Sequence, residues 1–116
     1  MKTKTTLVTL LFAFAIMTPS YGMNEVLLQG AKEKLRELRG QKIEVHYAMG
    51  AFEGFISGVW WSGKVFTPAG VTVAQVSEVV AKYIEAHPEQ QHLHEGKLIQ
   101  RAFKEAWPIE NVDVEY

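Results

Sequence analysis

The residues that could carry out chemistry are few and lie far apart in the sequence. The chain has no cysteine, which excludes thiol nucleophiles and thiolate metal sites. No serine lies in a Gly-x-Ser-x-Gly turn, and Ser57 and Ser77 fall inside predicted helices. The sequence therefore shows no enzyme signature. Several glutamates lie among lysines, as charges on solvated helix faces do: Glu33, Glu37, Glu78, Glu85 and Glu105.

Three of the four histidines, His87, His92 and His94, surround one predicted loop. A His-x-His pair can supply two zinc ligands, but a zinc site needs three or four that converge from rigid elements. The alternative is a solvated loop or a contact with a helix cap. We therefore predict no metal site and no cofactor.

Residues 1–22 have the pattern of a secretory signal peptide. Two lysines precede an apolar run from Leu7 to Met17, and small residues follow it. The alternative is an N-terminal membrane anchor, which would need a longer apolar run. We expect cleavage before Met23, which leaves a single domain of residues 23–116.

The charge of this domain excludes one class of partner. Loss of the leader leaves 10 basic and 13 acidic residues, a formal charge of −3. A nucleic-acid-binding protein would show a basic stripe, and none is present. We therefore predict no nucleic-acid partner and no membrane contact after cleavage. Without disulfides, the packing of one core must hold the domain together.

The stretch from Ile43 to Trp61 is predicted to be the helix around which the others pack. Its glycines, at positions 50, 54 and 58, fall on one helix face. Each costs a helix about 1 kcal/mol relative to alanine, so we expect another backbone to lie against this face. The apolar residues around the helix favour a buried core position. A membrane span with a glycine packing face is the alternative, but His46 and Glu53 interrupt the stretch.

Three further helices complete an all-α, single-domain bundle of about four helices. The first runs from Asn24 to Arg39 with one apolar stripe, and Gly40 ends it. The charges between its apolar residues, Glu33 and Lys34 among them, are predicted to form a solvated face.

The third and fourth helices have clear end signals. Thr72 and Gln75 form a capping box at the start of the third helix, and Pro88 stops it. The fourth helix is predicted over residues 94–107. Alternating residues in the tail 109–116 indicate an extended segment that docks on the surface.

Trp60 and Trp61 are adjacent, so on a helix their side chains point about 100° apart. At most one of them fits into the core, and the other lies at a surface or interface, where tryptophan is a typical anchor. The alternative is that both are half-buried at the helix end.

Four motifs between residues 47 and 108 carry a family resemblance. They are Tyr47-x-x-Gly50, Phe66-Thr67-Pro68-x-Gly70-Val71-Thr72, Val79-Val80-x-Lys82-Tyr83-Ile84-x-x-His87-Pro88 and Leu98-Ile99-x-x-Ala102-Phe103-x-x-Ala106-Trp107-Pro108. In these motifs the chain resembles the Rap/Tai family, periplasmic immunity proteins paired with peptidoglycan amidase toxins of type VI secretion. Members often have a cysteine pair at the positions of Thr67 and Ile109. The resemblance therefore implies that these two residues are neighbours in space.

The resemblance also implies a small helical protein that acts in the periplasm and occludes a toxin's active-site cleft without catalysis. Relatives are commonly dimeric, which leaves a homodimer open. Binding groups usually lie in loops on a rigid frame, so we assign toxin contact to the interhelical loops. The predicted contact residues are Trp61, Lys64, Glu89, Gln90, Gln91 and His92.

Two other functions stay open from the sequence. One is a periplasmic structural or chaperone-like helical protein without a dedicated toxin. The other is a small enzyme that uses the histidine loop.

Overall fold

The computed structural model describes residues 23–113, and both the predicted leader and the last three residues lie outside them. This part of the chain forms four α-helices and no strand, which confirms the all-α bundle. The helices are α1 (Met23–Leu38), α2 (His46–Trp61), α3 (Val73–Ala86) and α4 (Glu95–Ala106). A 3₁₀ turn, Pro88–Gln90, lies between α3 and α4.

All four helices contribute apolar side chains to one core. Full burial of such a side chain stabilises the fold by about 1.5–3 kcal/mol. Helix α1 contacts each of the other three helices, and so does α2. The largest fully buried apolar side chains of the helices are Leu27 of α1, Phe52 and Ile56 of α2, Val76 and Val80 of α3, and Leu98, Ile99 and Phe103 of α4.

The helix ends follow the local signals in the sequence. Gly40 has a φ of +71°, and its N–H donates to the carbonyl of Glu37 at 3.1 Å. The N–H of Gln41 donates to the carbonyl of Arg36 at 2.8 Å, which completes a Schellman motif. This confirms Gly40 as the residue that terminates α1.

Helix α3 has both halves of the predicted capping box. The N–H of Gln75 donates to Oγ1 of Thr72 at 3.2 Å, and the N–H of Thr72 donates to Oε1 of Gln75 at 2.8 Å. The helix ends at Ala86, two residues before Pro88. Two of the orphan N–H groups at its start are satisfied locally as a result.

The glycine face of α2 is not a packing surface, so the expected close approach there is wrong. A Cβ added at Gly50, Gly54 or Gly58 would meet no heavy atom of the described residues within 4 Å. Helix α2 enters the core through the opposite side, with Ala48, Phe52 and Ile56. The apolar composition of the helix suggested that it is buried on all sides. The three glycines have no side chains, however, and they leave one side of the helix uncovered.

The close approach occurs instead at Gly30 of α1. A Cβ added there would collide with Cβ of Phe52 and with the carbonyl oxygen of Ala48. The backbones of α1 and α2 therefore approach each other closely at a glycine of α1, not at the glycines of α2.

Two charged residues of α1 are buried rather than solvated, which corrects a second expectation. Glu33 is fully buried, and Lys34 is 4% exposed. Oε2 of Glu33 accepts a hydrogen bond from the N–H of Glu44 at 2.7 Å, just before α2 begins. Val45, the N-cap position of α2, makes no side-chain cap of its own. A carboxylate from α1 thus lies at the positive end of α2, where a negative charge is stabilising.

The beginning of the tail docks on the bundle, as predicted, but through turns rather than an extended strand. Residues 108–113 form successive turns, and Asn111 is fully buried. Its side chain hydrogen-bonds to the backbone of Phe66 in the loop after α2. The tail and this loop therefore form one surface region at the end of α2.

Candidate partner-binding surface

The two tryptophans at the end of α2 have different environments. Trp60 is half-buried, and its ring centroid lies 6.4 Å from that of Phe103 in the core. Trp61 is 78% exposed. This confirms that only one of the pair reaches the core. Trp61 is therefore a large aromatic side chain held on a helix and open to a partner.

Lys64 lies in the loop after α2 and is exposed. It lines two neighbouring clefts. The first, which we call the glycine cleft, has a volume of about 430 Å³ and lies between the glycine face of α2 and the start of α4. The second, of about 400 Å³, is lined by Phe66 and Val112 together with Glu110 and Asp113. Lys64 is thus a cation placed between a mostly apolar cleft and an acidic one.

The loop of residues 88–92 is held by specific hydrogen bonds. The hydroxyl of Tyr83 donates to Oε1 of Gln90 at 2.7 Å. Nδ2 of Asn24, at the start of α1, donates to the carbonyl of Gln91 at 2.9 Å. Glu89 and His92 are exposed. These bonds give the loop a defined shape on the bundle, as a preformed binding element requires.

Glu89 also pairs with His87, the residue that follows α3. Oε1 of Glu89 lies 3.0 Å from Nδ1 of His87. The hydrogen bond to His87 holds the pKa of Glu89 below its ordinary value. Glu89 is therefore a carboxylate, not a proton donor, at neutral pH.

The predicted contact residues fall into two groups, and of the six only Lys64 lines the glycine cleft. Trp61 and Lys64 belong to the end of α2, and the other four to the loop before α4. The cleft is lined by Lys64 on one side and by His94 and Glu95 on the other. Gln91 and Gln90 line two other clefts, so the glycine cleft does not join the two groups into one site.

Sequence reasoning missed the apolar part of this surface. Phe66 is 50% exposed and Val112 69% exposed, and both line the cleft next to Lys64. Gly54 and Gly58 line the glycine cleft. The glycine repeat was a visible signal but indicated a buried contact, and no periodicity marks the exposure of Phe66 or Val112.

Two of the three histidines near the loop, His87 and His94, make hydrogen bonds through their side chains. Nδ1 of His94 accepts from the N–H of Gly96 at 3.1 Å and so caps α4, as the cap interpretation predicts. Within residues 23–113, no cluster of three or more histidine and acidic side chains is placed to hold a metal ion. The arrangement can bind a surface through an aromatic anchor, a cation and polar loop groups.

Among the four helices described, none combines the length and apolar character needed to cross a bilayer. His46 is exposed at the first position of α2.

Comparison with known families gives one match. The profile of the Rap1a immunity proteins matches residues 30–109, more than two thirds of the chain, from within α1 to just beyond α4. No curated protein and no solved structure gives a significant match. On the family match, the chain belongs to the Rap1a immunity proteins.

Proposed function

We propose that this chain is a periplasmic immunity protein that binds and occludes a secreted peptidoglycan amidase toxin of type VI secretion. The observation that carries the proposal is membership of the Rap1a immunity proteins over residues 30–109. The motif resemblance within residues 47–108 adds the amidase class of the toxin and the secretion system.

Neutralisation by occlusion requires a rigid surface with a few strong anchors. Trp61 offers such an anchor, because tryptophan is enriched among the residues that dominate binding energy. Lys64 adds a cation three residues later, and the loop 88–92 adds polar groups. A preformed frame reduces the cost of ordering these groups when the partner binds.

The match to an immunity-protein family favours binding over catalysis, and the polar groups of the surface are compatible with binding. Gln90 accepts from Tyr83, and Glu89 pairs with His87. Each of these side chains is held in place by a neighbour and so presents a fixed polar surface. We therefore propose a stoichiometric inhibitor without enzymatic activity.

Action in the periplasm is supported by the leader pattern of residues 1–22. The mature protein should begin at Met23, which mass spectrometry of the exported chain can establish. An intact Met1 in the membrane fraction would contradict export with cleavage.

The decisive experiment is inhibition of a purified exported amidase whose gene neighbours that of this chain. Peptidoglycan hydrolysis is followed while the mature protein, residues 23–116, is added in increasing amounts. Activity should fall linearly and vanish at one inhibitor per amidase. Undiminished hydrolysis at a large excess would refute the proposal.

The core variant Leu98→Asp is the control for this experiment. It places a charge where a fully buried leucine lies, so it should not fold and should not inhibit. If wild type instead binds unrelated unfolded proteins as well as it binds the amidase, the chaperone-like function would be favoured.

A further inference from the structure

One histidine at the end of α3, His87, contacts both the loop between α3 and α4 and the last turn of α4. The Nδ1 atom of His87 lies 3.0 Å from Oε1 of Glu89, and its Nε2 atom lies 3.2 Å from Oε2 of Glu105. Glu89 belongs to the loop, and Glu105 to the last turn of α4. The imidazole therefore connects the end of α3, the loop and α4.

The chemistry of imidazole makes this arrangement dependent on protonation. A neutral imidazole has one N–H donor, and its other nitrogen is an acceptor, as both carboxylates are. Only the imidazolium ion can donate to Glu89 and Glu105 at the same time. Both hydrogen bonds are then charge-assisted, which makes each about twice as strong as a neutral one.

The side chains around His87 support the charged form. Hydrogen bonding to Glu89 raises the pKa of His87 above its ordinary value; burial opposes this, and Glu105 adds to the rise. The His87 side chain is 27% exposed but both carboxylates are 63% exposed, so water weakens the two ion pairs. The ring of Tyr83, one turn earlier in α3, lies 4.2 Å from the imidazole, centroid to centroid.

Cations of α3 and α4 lie near Glu105. Lys82 of α3 lines a cleft with Tyr83 and Glu105, and it pairs with Glu78 at 2.7 Å. Arg101 and Lys104 of α4 line the adjacent cleft with Gln90 and Glu105. These cations line clefts together with Glu105, whereas each ring nitrogen of His87 lies next to a carboxylate oxygen.

We propose that His87 is a positioning residue whose protonation orders the loop 88–92. When charged, it holds the loop to α4 through Glu89 and Glu105 together. When neutral, it loses one of the two hydrogen bonds, and the loop gains freedom.

This loop carries four of the six predicted contact residues, so a consequence for partner binding follows. Toxin affinity should be highest where His87 is charged and fall as the pH rises through its transition. That consequence rests on the proposed function, whereas the behaviour of the loop itself does not.

The test uses the mature protein without any toxin. The Cε1–H resonance of His87 is followed by NMR across pH, and amide hydrogen exchange is measured for residues 89–92. The His87 midpoint should lie above the ordinary value of 6.5. After correction for the intrinsic base-catalysed rate, exchange in the loop should rise roughly threefold or more across that same midpoint.

Three variants separate protonation from simple packing. In His87→Gln the step in loop exchange should disappear, with fast exchange at every pH. Glu105→Gln should lower the His87 midpoint, because it removes one of the two charged acceptors. His46→Gln, at an exposed histidine in the first turn of α2 and away from the loop, should keep the wild-type profile.

A His87 midpoint at or below 6.5, or loop exchange without a step at the midpoint, would overturn the inference. The amidase is then added in a separate arm. An amidase that does not bind would refute the proposed function but leave the loop result standing. Tight binding with an affinity that does not change across the His87 transition would overturn the consequence for the partner.

Discussion

The side-chain amide of Asn111 makes two hydrogen bonds with the backbone of Phe66, 45 positions earlier in the chain. Oδ1 of Asn111 accepts from the N–H of Phe66, and Nδ2 donates to its carbonyl, each at 2.8 Å. Nδ2 also lies 2.9 Å from the carbonyl of Trp107. One fully buried amide therefore joins the loop after α2 to the turn after α4.

Replacing Asn111 by alanine should destabilise the fold by about 2–3 kcal/mol, because backbone groups of Phe66 and Trp107 lose their buried hydrogen bonds to the side chain. Urea unfolding followed by circular dichroism measures the loss. Val112→Ala is the control, since this neighbour is 69% exposed and should change stability by less than about 0.5 kcal/mol. A wild-type midpoint for Asn111→Ala would show that this contact does not hold the tail.

Alanine should have opposite effects at two glycines of the α1–α2 pair. Gly30→Ala should cost about 1–3 kcal/mol or more, because its Cβ would collide with Phe52 and with the backbone of Ala48. Gly54→Ala should stabilise by about 0.5–1 kcal/mol, because alanine is the better helix former and no described atom lies within 4 Å of the new Cβ. Thermal unfolding of the two variants gives the comparison. If Gly54→Ala lowered the melting temperature, the glycine face would have to be covered in solution.

Glu33 should contribute stability that disappears in acid. Burial raises the pKa of Glu33, but hydrogen bonds from the N–H groups of Glu44 and Val45 and the charge of Arg36 outweigh it, so the pKa lies below the ordinary 4.5. A lowered folded-state pKa gives stability that is present above 4.5 and lost as the pH falls through the folded-state value. Glu33→Gln should therefore unfold more easily than wild type at pH 7.

The difference between wild type and Glu33→Gln should shrink as the pH drops below the folded-state pKa of Glu33. Urea titrations at a series of pH values provide the measurement. The matched control is Glu37→Gln, one turn later on α1, whose side chain is 41% exposed and pairs with Lys34. If the difference in unfolding free energy stayed constant across the acid range, the charge of Glu33 would not be what stabilises the fold.

Trp61→Ala should weaken inhibition of the amidase without changing stability. The side chain is 78% exposed, so its removal should alter unfolding by less than about 0.5 kcal/mol, while a tryptophan anchor can be worth about 2 kcal/mol or more in binding. Isothermal titration and urea unfolding on the same samples measure the two quantities. Tyr47→Ala is the matched control, because Tyr47 is a 76% exposed aromatic in the first turn of the same helix. Equal affinities for the two variants would place the interface elsewhere.

A disulfide should form between residues 67 and 109 when both are cysteine. The hydrogen bonds between Asn111 and Phe66 bring the two segments together. The family resemblance seen in the sequence implies a cysteine pair at these two positions in relatives. The double variant Thr67→Cys, Ile109→Cys should oxidise on export and gain about 4 kcal/mol for a loop of this length. Mass spectrometry under non-reducing conditions detects the bond. Two free thiols after export would show that the Cα atoms lie beyond the roughly 7 Å that a disulfide spans.

Local chemistry made the helix ends predictable. The capping box at Thr72 and the glycine after α1 depend on residues within a few positions, and both appear as the sequence indicates. Burial depends on partners far along the chain, and it was misjudged at Glu33 and Lys34. A glutamate among lysines is typical of a solvated face, but the hydrogen-bond donor to the Glu33 carboxylate is the backbone N–H of Glu44, 11 positions later.

The candidate site was predictable only in part for the same reason. The spacing of Trp60 and Trp61 separates an inner from an outer side chain, and the structure agrees. The glycine cleft forms only because α4 starts beside the bare face of α2. No local pattern within either helix records that juxtaposition.

The carboxylate of Glu33 also makes α2 dependent on α1 while the chain folds. Helix α2 has no cap of its own and has three interior glycines, so the isolated segment has little tendency to nucleate a helix. Helix α3, with its own capping box, does not have this handicap. We therefore expect α1 and α2 to open and close together as one cooperative unit, later than α3 on the folding path. Whatever detaches α1 from the bundle would unwind α2 as well, and with it the turn that carries Trp61.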